Sequence, residues 1–136
     1  MRRDFPLATL AGLGSGGLLA GALFFQFAMG LAPCDLCIEQ RWPHLAALLI
    51  GLLVFFVPKR WLMALGALAA ATSGALGIYH TGVERGWWEG PTACSGTTDI
   101  TTLSPSAALD AIMAAPVVRC TDVAWEMLGL SMASWN

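Results

Sequence analysis

Charge is what this sequence has least of. Only 12% of its 136 residues are Asp, Glu, Lys or Arg, against about 25% in a typical soluble domain. Hydrophobic residues make up 57% and the mean hydropathy is +0.66, so the composition argues against a soluble domain. The net charge is −2 and there is no basic stripe, which argues against a nucleic-acid binder. A second Cys-x-x-Cys is also missing. Cys34 and Cys37 form one such pair, but Cys94 and Cys120 are separated by 25 residues. That spacing does not make the paired half-sites of a structural zinc centre, and no metal is expected.

Long uncharged runs are what the sequence has instead. Residues Leu7 to Leu31 form 25 positions without a charge, more than the ~20 apolar residues a helix needs to cross a bilayer. With Arg2 and Arg3 ahead of it, a signal peptide is the alternative, but its apolar core normally stops at about 7–15 residues. Small residues at Gly12, Gly14, Gly16, Gly17 and Gly21 predict close packing against other helices. A second run extends to Val57 and counts as a span from about residue 40, with Pro43 expected in its first turn. Pro58-Lys59-Arg60 ends it, and Trp61 to Tyr79 adds 19 more uncharged residues. The connections are short, so the spans are expected to be antiparallel neighbours. The fold class is therefore an all-α membrane protein, a single domain over residues 1–136 with spans near 7–31, 40–57 and 61–79. Residues 127–136 read as the start of a fourth span, truncated here, or as an interfacial tail.

Arg2, Arg3, Lys59 and Arg60 fall on one side of a three-span chain, while most acidic residues fall on the other. The positive-inside rule makes the first side cytoplasmic. Every cysteine then lies on the opposite face, where disulfides persist. The polar segment 80–126 is the one long loop and carries six of the nine acidic residues. Trp87 and Trp88 read as interfacial residues. Ser104-Pro105 reads as an N-cap and first helical residue, followed by a short amphipathic helix from Pro105 to Ala114. That helix either lies on the membrane or packs on the loop.

The Cys34-Asp35-Leu36-Cys37-Ile38-Glu39-Gln40-Arg41 stretch carries the chemistry. A Cys-x-x-Cys at a helix start brings two sulfurs within disulfide reach, and helix N-terminal N–H groups favour a thiolate. Arg41, one turn after Cys37, can stabilise that thiolate or hold an anionic or carbonyl-bearing acceptor. The alternatives are a structural staple between helices and an arginine that snorkels to the interface. Cys94 sits in an exposed Pro- and Gly-containing stretch, and a Cys94–Cys120 bond would close the loop, for stability alone or as half of a relay. Two cysteine pairs on one face favour the relay, because thiolate attack passes electrons from pair to pair.

These residues resemble the disulfide bond formation protein B family, the inner-membrane enzymes that reoxidise the periplasmic thiol oxidase DsbA at the expense of a quinone. The resemblance rests on Cys34 to Arg41 after the first span, Tyr79-His80-Thr81 at the end of the third, the Cys94/Cys120 loop, and Trp125 to Met132. It implies an antiparallel four-helix bundle in the bacterial inner membrane, with the N-terminus cytoplasmic and the cysteines periplasmic. It also implies ubiquinone or menaquinone as cofactor and a DsbA-like thioredoxin-fold partner. By the same resemblance Cys94 receives the partner's attack, Cys120 attacks Cys34, Cys37 faces the quinone, and Arg41 and His80 line its site. For His80 an ordinary interfacial position is the alternative, and Glu39 and Gln40 are assigned no role. Rival readings are a dedicated paralogue, a vitamin K epoxide reductase-like enzyme, and a non-catalytic protein stapled by its cysteines. An oxidant such as DsbA lies ~180 mV, or ~8 kcal/mol for two electrons, above ordinary structural disulfides, so plain staples could not reoxidise it.

Overall fold

The computed structural model describes residues 4–91, 100–114 and 118–135. Cys94 and Pro116 lie outside the described residues. Three long helices dominate: α1 (Asp4–Phe27), α2 (Asp35–Phe56) and α3 (Arg60–Glu84). They are followed by a 3₁₀ turn (Ile100–Thr102), a short helix α4 (Pro105–Ala114), and a hairpin of β1 (Glu126–Met127) and β2 (Leu130–Ser131).

α2 packs against both α1 and α3, while α1 and α3 meet only sparingly. The pairing is antiparallel. Gly12 lies against Gly51, Gly16 against Leu48, and Gln26 against Arg41. On the other side Ile50 meets Gly66 and Gln40 meets Leu76. The α1–α2 approach depends on missing side chains, since a Cβ added at Gly12 would stand 2.8 Å from the Gly51 Cα. Such small-residue contacts let helices pack where lipid gives no hydrophobic drive between them.

α1 and α3 are each long and apolar enough to cross a membrane, over Phe5–Phe27 and Arg60–Glu84. The outward faces leave Leu10, Phe24, Phe55, Phe56, Leu68 and Ile78 exposed. That is far more contiguous apolar surface than a soluble monomer carries. α2 differs in that its first two turns hold Asp35, Glu39 and Arg41, and its uninterrupted apolar stretch begins only at Leu45.

The helix boundaries depart from the sequence expectation in four places. α1 stops at Phe27 rather than reaching Leu31, because Gly30 turns the chain with φ +69° and Pro33 follows. α2 starts at Asp35, so Pro43 is internal rather than in the first turn. Without an N–H, Pro43 cannot bond the Glu39 carbonyl. One residue on, the Ser73 hydroxyl donates to the Gln40 carbonyl at 3.3 Å and ties this part of α2 to α3. α3 continues past Tyr79 to Glu84, so His80 and Glu84 belong to a helix and not to the loop. Finally, the segment expected to open a fourth span is folded as a hairpin. Leu128 and Gly129 take φ +56° and +77°, the left-handed pair that closes a tight two-residue hairpin.

Beyond α3 the chain folds back on itself. Gly86 has φ +67°, and the Trp88 indole donates to the Tyr79 carbonyl at 2.8 Å while its ring stacks on that of Tyr79. The indole occupies the space a side chain at Gly82 would need. α4 begins as the sequence predicts, with the Ala107 N–H bonded to the Ser104 hydroxyl, and Leu109, Ile112 and Met113 on it are exposed.

Candidate active site

The site forms where the start of α2 meets the end of α3. Cys34 is the N-cap of α2, in extended conformation. Its sulfur accepts the Cys37 N–H at 3.4 Å, as N-cap side chains do for the unpaired first-turn donors. The same turn brings the two sulfurs to 2.9 Å, with the Cys34 thiol donating to Cys37. Both are free thiols here, and closing to the ~2.0 Å of a disulfide needs only a small shift.

The two thiols differ sharply. The bond to Cys37, aided by burial, holds the proton on Cys34 and pushes its pKa up. The bond from Cys34 brings Cys37 down to about 7; burial opposes this, and the Arg41 charge helps. Cys37 is therefore the nucleophilic sulfur. Both residues precede the part of α2 expected to span.

His80 joins this pair from α3. It is 1% exposed, with Nε2 3.5 Å from the Cys34 sulfur and Nδ1 3.1 Å from the Gln40 amide nitrogen. Glu84, one turn on, places Oε1 3.9 Å from His80 Nε2. Its other oxygen accepts a short hydrogen bond from Ser131 in the hairpin. Cys120 is fully buried in the same apolar cluster as Cys34, Leu36 and Val83. It is disulfide-bonded, and the His80 ring hydrogen-bonds its backbone.

Beside this cluster lies a cavity of about 330 Å³, whose lining includes Cys37, Arg41, His80, Phe25 and Trp125. The Phe25 and Trp125 rings meet at a tilt with centroids 5.0 Å apart, so α1 and the segment before the hairpin supply an aromatic wall. Arg41 donates to Gln26 of α1 at 2.6 Å, which aims it across the cavity wall. Its Nε is buried without a partner among the described residues. A buried guanidinium donor is costly to leave unmet, so it marks a place for an acceptor in the cavity.

Of the residues singled out from the sequence, Cys34, Cys37, Arg41, His80 and Cys120 are thus gathered within one region, while Cys94 lies outside the described residues. His80 contacts Cys34 and the Cys120 backbone as well as the cavity, a closer tie to the sulfurs than its place at a helix end suggested. Sequence reasoning missed Gln26, Gln40 and Glu84. Gln40 had one signal: an amide three residues after Cys37, at the start of an expected membrane span. The Cys34, Cys37 and His80 ligand atoms also lie within 4.8 Å of one another, a soft donor set.

Comparison with known proteins places the chain in a family. The model of the family "Disulfide bond formation protein DsbB" matches residues 3–136. The chain belongs to the DsbB family. Proteins named disulfide bond formation protein B from Shewanella sp. (strain MR-4) and Pasteurella multocida (strain Pm70) are each 34% identical over 122 residues. Those matches cover 87% of this chain, with 70% and 68% of the relatives' lengths. The Verminephrobacter eiseniae (strain EF01-2) protein of the same name is 34% identical over 143 residues, 99% of this chain and 77% of its own. No solved structure matches the chain. Family membership and the two candidate spans make this a helical membrane protein with a role in disulfide formation.

Proposed function

We propose that this DsbB-family chain is an inner-membrane thiol:quinone oxidoreductase that reoxidises a periplasmic DsbA-type partner. The observation that carries the reading is the convergence of three cysteines at one place, two on the cavity wall and Cys120 buried behind them. Cys34 and Cys120 share a buried cluster, and Cys37 sits beside them with a thiol pKa lowered to about 7. In the relay, a partner thiolate attacks Cys94 of a Cys94–Cys120 disulfide and releases Cys120 as a thiolate. Cys120 attacks Cys34 of a Cys34–Cys37 disulfide, and Cys37 leaves as the thiolate. The partner's second thiol closes its own disulfide by displacing Cys94, which in turn reforms the Cys94–Cys120 bond and frees Cys34.

The cavity fits a quinone head group: it has an aromatic wall at Phe25 and Trp125, an unmet donor at Arg41 Nε, and a sulfur at its edge. A bound ubiquinone or menaquinone supplies the sink, taking two electrons and two protons from the Cys34/Cys37 dithiol as that disulfide reforms. Arg41 would hold a quinone oxygen, and its charge adds to the Cys34 hydrogen bond that lowers the Cys37 pKa. α2 serves as a third span beside α1 and α3, with a cytoplasmic N-terminus and all four cysteines periplasmic.

Reconstituted protein given ubiquinone and a reduced DsbA-type protein should reduce the quinone, and Cys37→Ser should reduce the rate to background. Equal inertness of the two would favour cysteines that merely staple the fold.

A further inference from the structure

The Gln40 side chain is buried, 5% exposed, and its amide nitrogen meets two groups at once. It lies 3.3 Å from the Leu76 carbonyl and 3.1 Å from His80 Nδ1. A carbonyl only accepts, so the amide must present its NH₂ end in this direction. An NH₂ group only donates, so Nδ1 accepts from it. A neutral imidazole carries one proton, which leaves that proton on Nε2. The two described side-chain groups nearest Nε2 can both accept: the Cys34 sulfur at 3.5 Å and the Glu84 carboxylate at 3.9 Å. The ring also bonds the Cys120 backbone.

From this geometry we infer that Gln40 is a positioning residue that locks His80 in the Nε2–H form, so that His80 presents a hydrogen-bond donor to the Cys34 sulfur at the junction of the two cysteine pairs. Cys34 must become a thiolate each time its dithiol is reoxidised, and the N–H stabilises that charge without transferring a proton. The Leu76 carbonyl is the anchor, since it stops the amide from flipping and offering its oxygen to Nδ1. The same lock opposes a metal ion at the Cys34/Cys37/His80 donor set. An ion would need the bare Nε2 lone pair, with a proton on Nδ1 facing the Gln40 NH₂ group. Only the purpose of the lock rests on the proposed relay, because the tautomer is read without turnover.

The test is nitrogen NMR of histidine-labelled full-length protein in detergent, reduced, with His80→Ala separating the His80 signals from those of His44. In the wild type the single ring proton of His80 should sit on Nε2. In Gln40→Glu the carboxylate accepts only, and the proton should move to Nδ1. A wild-type proton on Nδ1 overturns the inference by itself, whether or not the variant folds, and so does Gln40→Glu with the proton still on Nε2. A second readout isolates Cys34 in the Cys37→Ser background. There Gln40→Glu removes a donor to the thiolate and should raise the pH midpoint of Cys34 alkylation by about one unit. An unchanged or lowered midpoint overturns the stabilising role. If Zn²⁺ binds the reduced wild type tightly with loss of the Nε2 proton, the lock is too weak to matter and the inference fails.

Discussion

The bundle contains two cavities of nearly equal size, about 330 Å³ and about 350 Å³, and their linings differ completely. The second is bounded by Leu7, Ala47, Ile50, Val54, Leu62 and Met63, with Ser15 the one hydroxyl. It lies at the Gly12–Gly51 end, where the helices approach through small residues, and its lining carries no acid, base or thiol. The first has two cysteines, an arginine, two histidines, a glutamate and an aspartate on its walls. Volume therefore does not distinguish a site in this protein. What does is buried polar groups that satisfy one another around Arg41 Nε, which has no partner among the described residues. Burying such groups is costly unless they are paired, and one end of the bundle carries that cost while the other avoids it.

The sharpest way to break this contrast is at the sulfur. Cys37→Ser should take partner-driven quinone reduction to background while circular dichroism stays unchanged; retained turnover would move the exit from the dithiol elsewhere. Arg41→Met should come next. Losing a hydrogen bond from a charged group costs about 1.5–3 kcal/mol, so the quinone KM should rise by tenfold or more in steady-state assays. At the apolar end, Gly12→Leu should lower stability by about 1–3 kcal/mol through overpacking, measured by unfolding in mixed detergent. In the molecules that remain folded, Cys37 reactivity should be unaltered.

The pH dependence is a smaller effect with a definite sign. A thiol reacts as its thiolate, so iodoacetamide should label Cys37 of the reduced protein with a midpoint of about 7, and Cys34, whose pKa is raised, should label far more slowly at that pH. Equal labelling of both would erase the asymmetry. The smallest change is expected from Met63→Leu in the apolar cavity. Quinone turnover should stay within about twofold, since volume-conserving swaps cost little; a large loss would make that cavity functional too.

Much of the architecture was legible in the chain. Uncharged runs placed the helices, Ser104-Pro105 placed the start of α4, and the Cys-x-x-Cys-x-x-x-Arg spacing placed sulfur and charge on one helix face. Those features are local, set by composition and by the 3.6-residue repeat, and survive without knowledge of partners. Boundaries were less legible. Pro43 read as a helix start because its missing N–H is harmless there, but Cys34 caps the chain earlier, and Ser73 reaches Gln40 from α3.

What only the tertiary structure decided is which groups meet. Cys34 and His80 are 46 residues apart, and no periodicity links them; the antiparallel packing of α2 on α3 does. The same packing sets Gln40 between Leu76 and His80. The hairpin brings Ser131 to Glu84, and the buried cluster brings Cys120 to Cys34. By itself the sequence determined that a dithiol would stand at a helix start beside an arginine, because that is short-range geometry. Which sulfur is ionised, which nitrogen bears the proton and which cavity has an unmet donor depend on burial and on partners remote in the chain, and these arise only when the helices pack.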